Sequence, residues 1–455
     1  MKIKLSEHFS YGKLLKFTAP SIAMLIFTSI YCVVDGFFVS NFVGKTSFAA
    51  LNFIMPFLMI VSSLGFMLGA GGSALIAKTL GEGDSKRANR YFSLLVYLGL
   101  GLGFVFGALG IIFIRPVAVL IGAEGQLLED SVVYGRIILS ALPLFMMQMQ
   151  FQSYFITAEK PTLGLAVTAV SGVTNMLLDA LLMAVFPLGI VGAALATAIS
   201  QAVGGIIPLV YFFSKNSSTL LLGKTKWYGG AVLRTVTNGS SELMSNISMS
   251  LVGILYNIQL LNYAGENGVA AYGVIMYVNY IFISAFLGYS TGAAPIISYH
   301  FGAANRAELK NILKKSVVII FIGSLAMLAL SFILASPLSA LFVGYDKMLY
   351  NLALRGFRIV AFSFPFSGFA IFGSGFFTAL NDGLTSAIIS FLRTLLFQTG
   401  AVIILPLILE LDGIWYSIIA AELMAVAVTT VFIFAKRKKY GYFGYFDNNN
   451  SQKRV

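Results

Sequence analysis

SGVTNMLLDALLMAVFPLG, residues 171–189, is apolar and close to the length of about 20 residues that carries a helix across a bilayer. It nevertheless holds Asn175 and Asp179, four residues apart, so on a helix both point from one face, one turn above the other. A carboxylate at membrane depth costs about 3 kcal/mol on insertion scales, and persists where it is paired, hydrated or used. Two readings follow: a functional site, or a buried polar cluster that holds helices together.

The surrounding chain favours membrane. It has 455 residues, 58% hydrophobic and only 11% charged, with a mean hydropathy of +0.88. Soluble domains carry about 25% charged residues. The net charge of +12 does not point to nucleic acid, because the basic residues fall at the ends and in short loops. A single cysteine, Cys32, excludes an intramolecular disulfide. His8 and His300 lie far apart and no Cys/His metal cluster is present, so neither a structural metal nor a cofactor is expected. The opening MKIKLSEHFSYGKLLKFTAP lacks the apolar core and small-residue cleavage site of a signal peptide. Walker A, GxSxG, HExxH and dinucleotide fingerprints are absent, and the expectation is not an enzyme.

Twelve spans are predicted between residues 14 and 435. Six basic residues (Lys45, Arg115, Arg136, Lys347, Arg355, Arg358) then face one side, Arg393 lies inside a span, and the other 23 face the opposite side. The positive-inside rule makes that side, and both termini, cytoplasmic.

The chain also repeats itself. A shift of 221 residues aligns Gly44 with Gly265, Ile54-Met55 with Ile275-Met276, Gly81 with Gly302, Pro116 with Pro337, and Thr157-Ala158 with Thr378-Ala379. Six spans per repeat give both halves the same orientation, an arrangement found in transporters with the substrate site between the halves. The predicted organisation is an N-lobe (1–213, spans one to six), an inter-lobe loop (214–231), a C-lobe (232–435, spans seven to twelve), and a basic, mobile tail (436–455). Gly99, Gly103 and Gly107 recur every four residues and predict close helix packing. Of the in-span prolines, Pro20 precedes Asp35 by about four turns, so a kink there could move the acidic region.

Only four acidic residues fall inside spans: Asp35, Asp179, Glu242 and Glu422. Counting rise per residue puts Asp35, Asp179 and Thr197 at one depth in the outer half of the N-lobe, with Asn175 one turn deeper. Two carboxylates, an amide oxygen and a hydroxyl at one level can share a proton or coordinate a small cation, sodium included. In the C-lobe, Arg393 and Glu422 should both lie near the midplane, and we expect them to face each other because an unpaired charge there is costly. Glu242, near the inner end of span seven, reads equally as a snorkelling residue or a gate. Met146, Met147 and Met149, interleaved with Gln148, Gln150 and Gln152, form an adaptable stripe that reads as packing or as a substrate surface. Gln148, Gln152, Met149, Tyr256, Met276 and Tyr280 are the candidate substrate contacts, and His300 reads as a solvated loop residue.

VVDGFFVSNFVG (33–44), TNMLLDALLM (174–183), GIVGAALATAISQ (189–201) and the repeat pair GEGDSKRANR and SYHFGAANRAELK resemble the multidrug and toxic compound extrusion (MATE) family, its MepA-like bacterial branch in particular. The resemblance covers all twelve spans. It implies a V-shaped, all-α pair of six-helix lobes in the bacterial inner membrane, acting as a monomer. Its implied activity is export of amphipathic, often cationic compounds in exchange for protons or sodium by alternating access. It places an N-lobe ion site at Asp35, Asn175, Asp179 and Thr197, and a bending proline at Pro20. The acidic residues that some relatives carry deep in the C-lobe have no match here, since Glu242 lies too near the cytoplasmic end. A lipid-linked oligosaccharide flippase of the same superfamily would share the fold. Such proteins tend to line the cavity with more cations than the lone Arg393.

Overall fold

Within a bilayer every backbone polar group must be satisfied inside its own segment, and the described residues obey this with helices alone. The computed structural model describes residues 3–443. Its helices are α1 (Tyr11–Phe42), α2 (Lys45–Gly81), α3 (Ser85–Ile121), α4 (Gly125–Ser140), α5 (Leu142–Thr157), α6 (Pro161–Asp179), α7 (Gly189–Phe213) and α8 (Gly229–Gly302). There follow α9 (Arg306–Val343), α10 (Lys347–Ala361), α11 (Phe364–Ala379), α12 (Gly383–Phe391), α13 (Gln398–Ile404) and α14 (Pro406–Tyr440). Single π-helical turns extend α6 (Ala180–Val185) and join α12 to α13 (Leu392–Phe397).

Nine segments among the described residues are long and apolar enough to cross a membrane. Two bent pairs, α4–α5 at 58° and α10–α11 at 53°, add two more crossings. Each bend has a proline just past it, Pro143 or Pro365, which cannot donate the hydrogen bond that would continue the preceding helix. The 74 residues of α8 would stretch about 110 Å against a hydrocarbon core of about 30 Å. Its backbone breaks at Gly265 (φ 62°), which divides it into two segments.

The internal repeat is written in the backbone. Left-handed residues recur at the 221-residue offset: Gly44 with Gly265, Gly83 with Ala304, and Gly189 with Glu410. Gly99, Gly103 and Gly107 pack as anticipated: a Cβ on Gly103 would sit 2.5 Å from Pro143 Cα, and one on Gly107 2.7 Å from the Leu139 carbonyl.

Leu5 and Phe9 share one apolar cluster with Tyr440 and Tyr442, so both chain ends lie at the same end of the molecule. There the halves pack backbone to backbone. A Cβ on Gly81 would strike the Tyr299 carbonyl, one on Gly302 the Lys78 carbonyl, and one on Gly239 the Met67 carbonyl. The N-terminal segment spans this seam: Leu5 N donates to Glu159 Oε1 (2.8 Å) and Phe9 N to Glu308 Oε1 (2.9 Å). Gly81→Leu or Gly302→Leu should therefore prop this end open. Cysteine crosslinking between α2 and α8 should fall several-fold, whereas unchanged crosslinking would show that the seam tolerates a side chain.

Two expectations are corrected at this end. His300 is not a solvated loop residue: it is 2% exposed, edge-on to Phe9 and Tyr299, because the N-terminal segment folds over it. The 436–455 segment does not begin as a free tail. Helix α14 continues to Tyr440, Tyr442 is buried against Phe376, and the Tyr440 hydroxyl donates to Asp382 Oδ2 at 2.7 Å. Burial alone would raise the Asp382 carboxyl, but the Tyr440 hydroxyl, Thr385 and the lysines at 436 and 439 outweigh it and hold it below the ordinary carboxylate range. The remainder of that segment lies outside the described residues.

Candidate functional site

Helix α6 turns one polar edge toward α1. Gly172 makes the approach close: a Cβ there would lie 2.5 Å from the Phe27 ring and 2.8 Å from the Tyr31 ring. One and two turns further, Asn175 and Asp179 are buried facing the same neighbour. Asp35 on α1 is half-buried, and its carboxylate lies within side-chain interaction range of both Asn175 and Asp179. The structure thus brings the three oxygen-bearing side chains together from two helices.

Asp179 is the last α-helical residue before the π turn Ala180–Val185. A π turn widens the helix and re-aims the residues beside it, and such turns recur at functional sites. Both Asp179 oxygens and Asp35 Oδ1 are buried with no hydrogen bond to protein. Two facing carboxylates beside an amide suit a shared proton or an alkali cation. Among the described residues no three His, Cys, Asp or Glu side chains gather into a transition-metal site.

Thr197, half-buried on α7, interacts with the hydroxyl of Tyr134, and Tyr134 stands within electrostatic reach of Asp35 and Asp179. Tyr134 is the member that sequence reasoning missed. As one aromatic on a buried face of α4, it reads like any core residue until the fold sets it beside the acids. From α8, Tyr277 and Tyr280 approach the same stretch of α1, near Asp35 and Cys32. Pro20 sits inside an unbroken α1, between Thr18 and Ser21, which pack on Gly292 and Gly288 of α8. Its missing N–H leaves the Lys16 carbonyl without the usual helical partner.

In the C-lobe, Arg393 and Glu422 form a bidentate pair: Nε lies 3.0 and 2.9 Å from the two carboxylate oxygens and Nη2 2.8 Å from Oε1. Arg393 projects from the second π turn and Glu422 from α14. Glu242 lies within electrostatic reach of Arg393. Tyr256 is buried, stacked on Tyr272 and hydrogen-bonded to Ser417 at 2.7 Å.

The remaining candidate substrate contacts scatter. Met149 is buried against Gly65 of α2, and Gln148 and Gln152 are buried between α5, α6 and α7 around a cavity of about 10 Å³. With Tyr256, these four are closed to a drug-sized molecule in this conformation. Met276 is half-buried, and Tyr280, 41% exposed, is the open one.

The family model described as MatE matches residues 20–181 and 243–402, one block in each half. Among curated proteins, the chain is 23% identical over 426 residues to the multidrug export protein MepA of Staphylococcus saprophyticus, covering 92% of each chain. It is 23% identical over 438 residues to MepA of Staphylococcus aureus, covering 94% of each. Among solved structures it resembles one described as the outward-facing conformation of a multidrug resistance MATE family transporter of the MOP superfamily. That match has a TM-score of 0.91 at 22% identity and covers 96% of this chain and 98% of the other.

Proposed function

We infer the function of this chain from its family, for it belongs to the MATE family. We propose that it is a multidrug exporter of the bacterial inner membrane, working by alternating access with both termini cytoplasmic. It exchanges amphipathic, cationic compounds for protons or sodium ions and acts as a monomer. The observation that carries this reading is the Asp35–Asn175–Asp179 cluster, two carboxylates and an amide facing one another inside an apolar lobe. A coupling ion shifts the balance between two conformations only by its difference in affinity for them. A carboxylate pair that is neutralised in one conformation and charged in the other provides that difference. Thr197 and Tyr134 position the cluster, and Pro20 lets α1 bend as its charge changes.

The Arg393–Glu422 pair fixes a cation permanently in the C-lobe, so coupling rests on the N-lobe. Tyr280 and Met276 are the substrate contacts we retain. We assign membrane lipid as the occupant of an apolar groove of about 540 Å³ between α1, α8 and α9, walled by Leu15, Ile22, Phe286 and Met327. The test is efflux of cationic dyes from everted vesicles, with sodium and pH gradients imposed separately. One gradient should accelerate dye movement severalfold over its absence. Dye movement indifferent to both would overturn the antiport and favour the flippase.

A further inference from the structure

Beneath the acidic pair a column of polar side chains continues down the same edge of α6. Asp179, Asn175, Ser171 and Thr168 are spaced four, four and three residues apart, and none is more than 3% exposed. The column covers about 16 Å at 1.5 Å per residue and ends two turns from Pro161, where α6 begins. From α5, Gln148 Nε2 donates to Ser171 Oγ (3.1 Å), and Ser171 Oγ donates to the Ser200 carbonyl of α7 (2.7 Å). Gln148 Oε1 and Gln152 Nε2 remain buried without a protein partner, although an orphaned buried polar atom costs about 1–3 kcal/mol. Both glutamines line the cavity of about 10 Å³ together with Thr168 and Gly204. That is about the space one water needs, and the walls supply the two to four polar partners that such a water requires. Gly204 keeps it open, since a Cβ there would lie 2.6 Å from Gln148 Cδ.

We propose that this cavity holds a relay water and that the column is a proton path. It joins the acidic pair to the end of the N-lobe that carries the termini, apart from the cleft between the lobes. The proposal rests on Asp35 and Asp179 being the coupling acids, and adds that the coupling ion is a proton and where it passes. At each hop one O–H bond breaks and another forms on the next oxygen, so the protein is unchanged after the proton has crossed. The amides of Asn175, Gln148 and Gln152 hold and orient waters and do not titrate. The Thr168 hydroxyl donates and accepts in turn, while Ser171, whose proton is held by the Ser200 carbonyl, fixes Gln148 beside the relay water. The titratable groups facing the upper end are Asp35, Tyr31 and Cys32 of α1, Tyr134 of α4, and Tyr277 and Tyr280 of α8. A space of one water's size passes a proton by relay but not a sodium ion with its shell.

The test uses the full-length protein in proteoliposomes with ethidium as the probe. Thr168→Val and Gln152→Leu are compared with Thr168→Ser and Asp179→Asn. Two rates are read: uptake driven by a pH gradient, and ethidium exchange at equal pH, which needs no net proton movement. Thr168→Val and Gln152→Leu should retain exchange while gradient-driven uptake falls about tenfold, less than the about 100-fold typical of a directly transferring group, because water can bypass one missing side chain. Thr168→Ser should behave as wild type. If both variants keep gradient-driven uptake while Asp179→Asn loses it, the path is wrong and the acidic pair stands. If Asp179→Asn also keeps it, the underlying reading fails as well. Equal losses of exchange and uptake would mark the column as packing and overturn the path.

Discussion

Asp179→Asn will yield a protein that inserts, folds and binds dye but no longer couples dye movement to an ion gradient. Asparagine keeps the shape and hydrogen-bonding capacity of aspartate and removes the ability to change charge. The gradient can then no longer bias one conformation over the other. A typical coupling free energy of about 1–3 kcal/mol corresponds to a factor of about 5–150, and gradient-driven efflux should fall toward the upper end of that range. Asp35→Asn should do the same, since its carboxylate faces Asn175 and Asp179 directly. The double variant should be no worse than either single one, because the two acids act as one site. Gradient-driven efflux at the wild-type rate in either variant would reject the site.

Arg393→Ala will destabilise the protein far more than removing both charges together. The Arg393 side chain is 15% exposed and the Glu422 side chain 3%, so truncating Arg393 strands a carboxylate in the interior. Breaking a buried pair in this way costs about 3–5 kcal/mol, whereas replacing both partners with apolar groups is often near neutral. The detergent-solubilised protein should show a large drop in Tm for Arg393→Ala and for Glu422→Ala, with most of it restored in Arg393→Leu/Glu422→Leu. Glu242 gives the comparison a second handle. With Glu422 removed, Glu242 is the carboxylate left within reach of the guanidinium, so Glu422→Gln should cost less than Arg393→Ala. A Tm loss in the double variant equal to the sum of the two single losses would show that the pair is not an energetic unit.

Much of the frame is legible in the residues because it follows from simple counting. The 221-residue offset carries two lobes, and the structure repeats it in left-handed backbone at Gly44 and Gly265 and at Gly189 and Glu410. The four-residue interval from Asn175 to Asp179 places both on the edge that faces α1, and the cost of a lone charge points Arg393 toward Glu422. What escapes counting depends on backbone detail or distant contacts. Nothing in ALLMAV signals the π turn that follows Asp179. His300 looks solvated beside a basic loop, yet Phe9, far off in sequence, folds across it. The Met and Gln stripe of α5 shows no periodicity because nearly its whole circumference is buried.

The most direct test of the acidic pair is proton or sodium release on drug binding. Purified protein in weakly buffered detergent would be mixed with a cationic dye while the pH and free sodium are followed. If the pair is the coupling site, wild-type protein will release one of these ions as dye binds, and Asp35→Asn and Asp179→Asn will bind dye without releasing it. Equal release from wild type and both variants would contradict the account.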